Sequence, residues 1–98
     1  MATEIDPAGV MPRAILQAAD FHNTRVLEVG AGDGRLTFLY AVESRSVVAI
    51  DIKEPDIRLA AEGLRTGPRG EVQFLCASAT ALPFSAEQFE IALLASSL

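Results

Sequence analysis

Four short apolar runs punctuate the chain: Val26–Val29, Val47–Ile52, Val72–Cys76 and Phe89–Leu94. They are mostly continuous rather than alternating, a pattern that predicts strands buried on both faces of a parallel sheet. Periodicity alone does not separate such runs from buried helix, but their brevity and β-branched content favour strand. Between the first two runs, Arg35–Glu43 predicts a helix with Leu36, Leu39 and Tyr40 on one face. After the second, a helix is predicted from Pro55, burying Ile57, Leu59, Ala60, Ala61 and Leu64 and stopping at Gly67-Pro68. Strand, helix, strand, helix, strand is a doubly wound α/β pattern with right-handed crossovers. The last connection, Ala77–Gln88, has room for a loop and one helical turn.

Ahead of the first run the pattern is weaker. Ala2–Gly9 is polar and contains Pro and Gly, so it reads as a loose start. Pro12 suits the first position of a short helix carrying Ile15, Leu16 and Ala19. The chain therefore divides into an N-terminal segment, 1–24, and a unit that carries the four runs, 25–98. The whole is 98 residues, room for one small domain. Half of it is hydrophobic, which places it among folded chains. The formal net charge is −5 with the basic residues scattered, which argues against a nucleic-acid partner. A lone cysteine, Cys76, within an apolar run predicts a buried thiol and excludes an internal disulfide. No stretch reads as a signal peptide, and the apolar runs are far shorter than the ~20 residues a bilayer needs. The expectation is a cytoplasmic protein without a membrane segment.

The chemistry concentrates where the first run ends, in "VLEVGAGDGRLT". Glycine there permits a tight turn into a helix and close approach of a ligand to the backbone. The helix start offers N–H groups to an anionic group. Gly30, Gly32 and Gly34 form G-x-G-x-G, and Arg35 stands where a dinucleotide fingerprint has its third glycine. A Walker loop fails because no G-K-[S/T] follows. Asp51, ending "VVAIDI", is placed to accept both hydroxyls of a ribose, with Ile52 beside it against a nucleobase. Glu28 is a carboxylate inside an apolar strand and needs a partner. That partner is either the ammonium of an amino-acid ligand or an arginine of the protein.

Together "VLEVGAGDG", "VVAIDI" and "ASATALPFSAEQFEIALL" resemble the class I methyltransferases that use S-adenosylmethionine. The resemblance covers roughly Arg25 to the end of the chain. It implies a Rossmann-like sheet, here truncated to about four strands. It also implies that Gly30, Ala31, Gly32 and Gly34 pack against the methionine end of the cofactor. Asp51 then holds the ribose with Ile52 next to the base, and Glu28 lies near the amino-acid end. Where the family often carries an aspartate toward the adenine amino group, this chain has Ser78, with the Ala79 N–H at the ring. "LPF" followed by a short acidic loop and "FE" resembles the small-molecule and quinone-type members, implying a small-molecule acceptor.

The family's sheet has more strands than the four read here. By its topology the fourth strand lies beside the first, so its outer edge is expected to be unpaired and open to self-association or to a second polypeptide. No catalytic residue is assigned. His22 reads as a surface histidine, Tyr40 as core, and Ser96 and Ser97 as strand-end polar groups. No histidine–cysteine spacing suggests a metal. Three alternatives remain: a non-catalytic module that binds the cofactor or pairs through its edge, an RNA methyltransferase suggested by "GRLT", and a nicotinamide oxidoreductase fragment, which Arg35 disfavours.

Overall fold

A computed structural model describes residues 3–5, 20–66, 71–81 and 88–95. All four apolar runs are strands. They are β2 (Arg25–Val29), β3 (Ser46–Asp51), β4 (Val72–Cys76) and β5 (Ile91–Leu94), and a short strand near the N-terminus, β1 (Thr3–Ile5), precedes them. One all-parallel sheet runs in the order β1-β5-β2-β3-β4. The α/β expectation holds. Chain order advances outward from β2 through β3 to β4, and β5 then returns to the opposite side of β2. The gap between β2 and β5 is therefore the topological switch point, where parallel sheets of this kind bind ligands beyond the strands' carboxyl ends.

The N-terminal strand corrects two expectations. Ala2–Gly9 is not simply a loose start, because Thr3, Glu4 and Ile5 pair with Ile91, Ala92 and Leu93. The edge of the fourth predicted strand is consequently occupied over those residues. The reason for expecting self-association at that strand does not hold. The helix expected from Pro12 lies outside the described residues, as does the Gly67-Pro68 stop.

Two helices connect the strands. Helix α1 (Arg35–Tyr40) is shorter than the Arg35–Glu43 reading. Beyond Tyr40 the Glu43 and Ser44 amides donate to Tyr40 and Ala41, the i→i+3 pattern that tightens and ends a helix. Helix α2 (Glu54–Thr66) carries Glu54 and Asp56 in its first turn, favourable against the helix dipole. It buries Ile57 and Ala60 and half-buries Leu64, while Leu59 and Ala61, expected inside, face out. The i, i+3, i+7 spacing of the first three is a narrower stripe than the sequence suggested.

The core forms around β2 and its neighbours: Val26, Val47, Ala49, Ile91 and Leu93, with Phe21, Leu36 and Tyr40 packed on them. Phe21 and Tyr40 stack with centroids 4.6 Å apart. Arg25 pairs with Glu90, tying the start of β2 to the residue before β5. Cys76 is exposed rather than buried, because β4 is an edge strand.

Candidate functional site

The β2–α1 turn is built by positive-φ glycines and held from below by β3. Gly30 and Ala31 both donate their amides to the Ile50 carbonyl, at 2.9 and 3.0 Å. Gly32 N–H donates to Asp51 Oδ2 at 2.9 Å, and Gly34 N–H to the Ala31 carbonyl at 3.1 Å. These four amides are spent inside the protein. A carboxylate already occupies the turn. The Asp51 carboxylate at the Gly32 amide disfavours a diphosphate at that point of the turn.

Two of the glycines serve different ends. Gly34 has φ +87°, and a Cβ there would come within 3.1 Å of Ala60, Phe38 and Phe74. Gly32 has φ +59°, and a Cβ there would enter open space. Gly34 is required by packing, whereas Gly32 leaves room for something outside the protein. Gly34→Ala is expected to cost about 2–4 kcal/mol, combining left-handed backbone strain with overpacking. Gly32→Ala is expected to cost only about 1–2 kcal/mol from backbone strain, while narrowing the ligand space. Chemical denaturation of both variants checks the order.

Clefts lie on both sides of this turn. One, of about 450 Å³, is lined by Glu28, Gly30, Ala31, Gly32, Leu36 and Ala95 among others. It opens at the switch point, since Gly30 follows β2 and Ala95 follows β5. The second, of about 260 Å³, is lined by Gly30, Asp51, Ile52, Ala77 and Ala79 among others. Gly30 belongs to both, so an elongated ligand could cross the turn and fill the two together.

Both clefts carry carboxylates: Asp51 in the smaller, and Glu28, Asp33 and Asp56 in the larger. Asp51 accepts from Gly32 N–H and, through Oδ1, from Lys53 N–H at 2.9 Å, and it remains half-buried. A carboxylate oxygen has capacity for a second donor, so Asp51 can brace the turn and still take ribose hydroxyls. Beside it Ile52 is 73% exposed and borders the same cleft. Ala79 also lines this cleft, in a 3₁₀ turn over Ala79–Ala81. The Ser78 hydroxyl is instead engaged with Thr80, 2.9 Å from its Oγ1, and accepts the Thr80 N–H. The serine thus shapes the turn that carries Ala79.

Glu28 is fully buried at the base of the larger cleft. Among the described residues it has no arginine partner. Its Oε1 accepts from Thr37 Oγ1 at 2.6 Å and Tyr40 OH at 2.5 Å, while Oε2 is buried with no hydrogen-bond partner. Burial pushes the Glu28 carboxyl up to about 7, against the two hydroxyls that pull it down. The same burial, with the neighbouring carboxylate, holds the Tyr40 phenol well above its ordinary range. Tyr40 and Thr37 were missed as site residues. The available signal was their i, i+3 spacing on the helix directly after the strand carrying Glu28.

An S-adenosyl cofactor fits this set on two counts. Space at Gly32 is open, and a buried carboxylate oxygen lacks a partner. Among the described residues no cluster of His, Cys, Asp or Glu could hold a metal ion, and no helix is long and apolar enough to cross a membrane.

Comparison with known proteins identifies the family and the fold. Residues 26–98 match the family described as Methyltransferase domain, and the chain belongs to that family. No curated protein shows significant similarity. Among solved structures, YcgJ of Bacillus subtilis superposes with a TM-score of 0.76 at 22% identity, over 85% of this chain and 36% of that one. Haemonchus contortus phosphoethanolamine N-methyltransferase 1, in complex with phosphoethanolamine and S-adenosylhomocysteine, gives 0.75 at 24% identity, over 85% and 18%. A SAM-dependent methyltransferase of Methanosarcina mazei gives 0.65 at 27% identity, over 81% and 39%. The chain therefore spans well under half the length of each.

Proposed function

We propose that this chain is the cofactor-binding portion of an S-adenosylmethionine-dependent methyltransferase acting on a small-molecule acceptor. The observation that carries the reading is the pair of clefts meeting at Gly30, one with Asp51 and the other with Glu28. When bound, S-adenosylmethionine supplies a sulfonium methyl group ready for transfer to a nucleophile. Asp51 accepts hydrogen bonds from the ribose, with Ile52 and Ala79 bordering the base. Glu28 meets the ammonium end, and the glycine turn lets the middle of the ligand lie against the backbone. Ser78 acts indirectly, by setting the 3₁₀ turn.

The committed amides and the carboxylate within the turn support this over a dinucleotide, whose diphosphate needs donors rather than Asp51. The acidic balance of the chain, −5, supports a small acceptor over a polyanionic one. The solved structure with phosphoethanolamine bound is of a neighbour that methylates such a molecule. In this chemistry the protein contributes chiefly by holding acceptor and donor in line. Calorimetric titration with S-adenosylhomocysteine is expected to show saturable one-site binding. A folded sample that takes up no ligand would reject the proposal.

A further inference from the structure

We propose that Tyr40, with Thr37, is a positioning residue that saturates one oxygen of Glu28 and so reserves the other for the ammonium group of the cofactor. This rests on the reading of the site as an S-adenosyl pocket. It goes further by assigning the discrimination of the amino-acid end to two side chains of α1 that do not themselves border the cleft.

The geometry is specific. Both hydroxyls converge on Oε1, at 2.6 and 2.5 Å, distances typical of donors to a charged oxygen. Thr37 is fully buried and Tyr40 nearly so. With Oε1 taken by two donors, Oε2 is left buried and without a partner in a residue that lines the cleft. A buried, unpartnered carboxylate oxygen is costly, and a cation arriving through the cleft relieves that cost. A neutral end group would not.

The charged surroundings leave Glu28 the anion best placed for this at the cleft base. Its sheet neighbours, Ala49 on β3 and Leu93 on β5, carry no charge. From α1, Tyr40 is the titratable group in contact. The remaining charged groups lining the cleft are Asp33, Arg35 and Asp56, and Arg35 Nε is paired with Asp33 Oδ1 at 3.1 Å. Burial raises the Glu28 carboxyl to about 7, and the two hydroxyls oppose that rise. Removing either donor should push the carboxyl higher and delay its ionisation to more alkaline pH.

Tyr40→Phe is the suitable variant because its ring still stacks on Phe21. Two ligands separate the roles: S-adenosylhomocysteine, which carries the ammonium, and 5′-methylthioadenosine, which lacks the amino-acid end. Both are titrated from pH 6 to 9 into the wild-type chain, Tyr40→Phe, Thr37→Val and Thr37→Ser. Wild-type affinity for S-adenosylhomocysteine should rise with pH through the Glu28 ionisation, while methylthioadenosine stays level. In Tyr40→Phe the first ligand should weaken roughly tenfold at neutral pH, as for loss of one hydrogen bond to a charged group. Its pH midpoint should move upward, and methylthioadenosine should be unchanged. Thr37→Val should behave likewise, and Thr37→Ser should restore the wild-type profile.

Equal loss for both ligands, or loss without a shift of the midpoint, would show that Tyr40 merely supports the fold and would overturn the inference. Binding of neither ligand to the folded wild-type chain would instead reject the S-adenosyl pocket itself. Should Tyr40→Phe not fold, the Thr37 pair decides alone: the same weakening in both Thr37 variants would overturn the proposal.

Discussion

Asp51→Ala is expected to weaken S-adenosylhomocysteine binding by about 100-fold or more, the largest effect of any single substitution at the site. The figure follows from two lost hydrogen bonds to a charged acceptor, each worth about 1.5–3 kcal/mol. Asp51 has a second task that aggravates the loss. Its oxygens hold the Gly32 and Lys53 amides, both at 2.9 Å, and so fix the turn against the start of α2. Without the carboxylate the Gly32 amide is freed and the turn that must receive the ligand loosens. Asp51→Asn should fall between wild type and alanine, because its amide keeps one acceptor oxygen and sets its NH₂ group against a backbone N–H. Calorimetry ranks the three proteins. Wild-type affinity in Asp51→Ala would remove Asp51 from the ribose site.

Glu28→Gln is expected to erase a pH dependence of stability worth about 3 kcal/mol. The carboxyl sits at about 7 in the folded chain against an ordinary value of 4.5. Between those values the folded state keeps a proton that the unfolded state has released. Stability therefore falls as pH rises from about 4.5 to about 7, and the loss is complete above the folded value. Glutamine does not titrate, so the stability difference between variant and wild type should shift in the variant's favour by that amount between pH 4 and pH 8. Urea denaturation at the two pH values measures it. A parallel pH dependence in both proteins would mean that folding leaves the Glu28 carboxyl at its ordinary value. The direction also bears on function, because a ligand ammonium at Oε2 would recover part of what the ionised, buried carboxylate costs. Ligand should then stabilise the wild type more at pH 8 than at pH 5.

These effects come from residues whose visibility in the sequence differed. The strands β2 to β5 were legible because burial on both faces leaves a continuous apolar run. Their limits were read to within a residue or two. The glycine turn was legible for a related reason, since a strand end followed by small residues marks where backbone must stay open. What went unseen depends on non-local pairing. Thr3–Ile5 carries no apolar run and becomes a strand only because β5 offers it an edge. The exposure of Cys76 follows from β4 lying outermost, which a run of apolar letters does not reveal. Leu59 and Ala61 looked buried because the sequence gives a helix more apolar residues than its stripe can hold.

Tyr40 is the most instructive case. Reading it as core was correct for the ring, which is buried against Phe21, and incomplete for the hydroxyl, which ends on Glu28. A phenol has two chemistries, and hydrophobic patterning registers only one. The same holds for Glu28, where sequence could demand a partner without saying that the partners would be neutral hydroxyls.

The proposed function requires one elongated ligand to lie across the glycine turn and fill the clefts on both sides. Mapping backbone amide shifts by NMR during titration with S-adenosylhomocysteine tests it most directly. Saturable changes with one common affinity are expected at Gly30, Gly32 and Ala31 in the turn, at Lys53 and Ala79 beside the smaller cleft, and at Ala95 beside the larger. Changes confined to one cleft, or none in a folded sample, would contradict it.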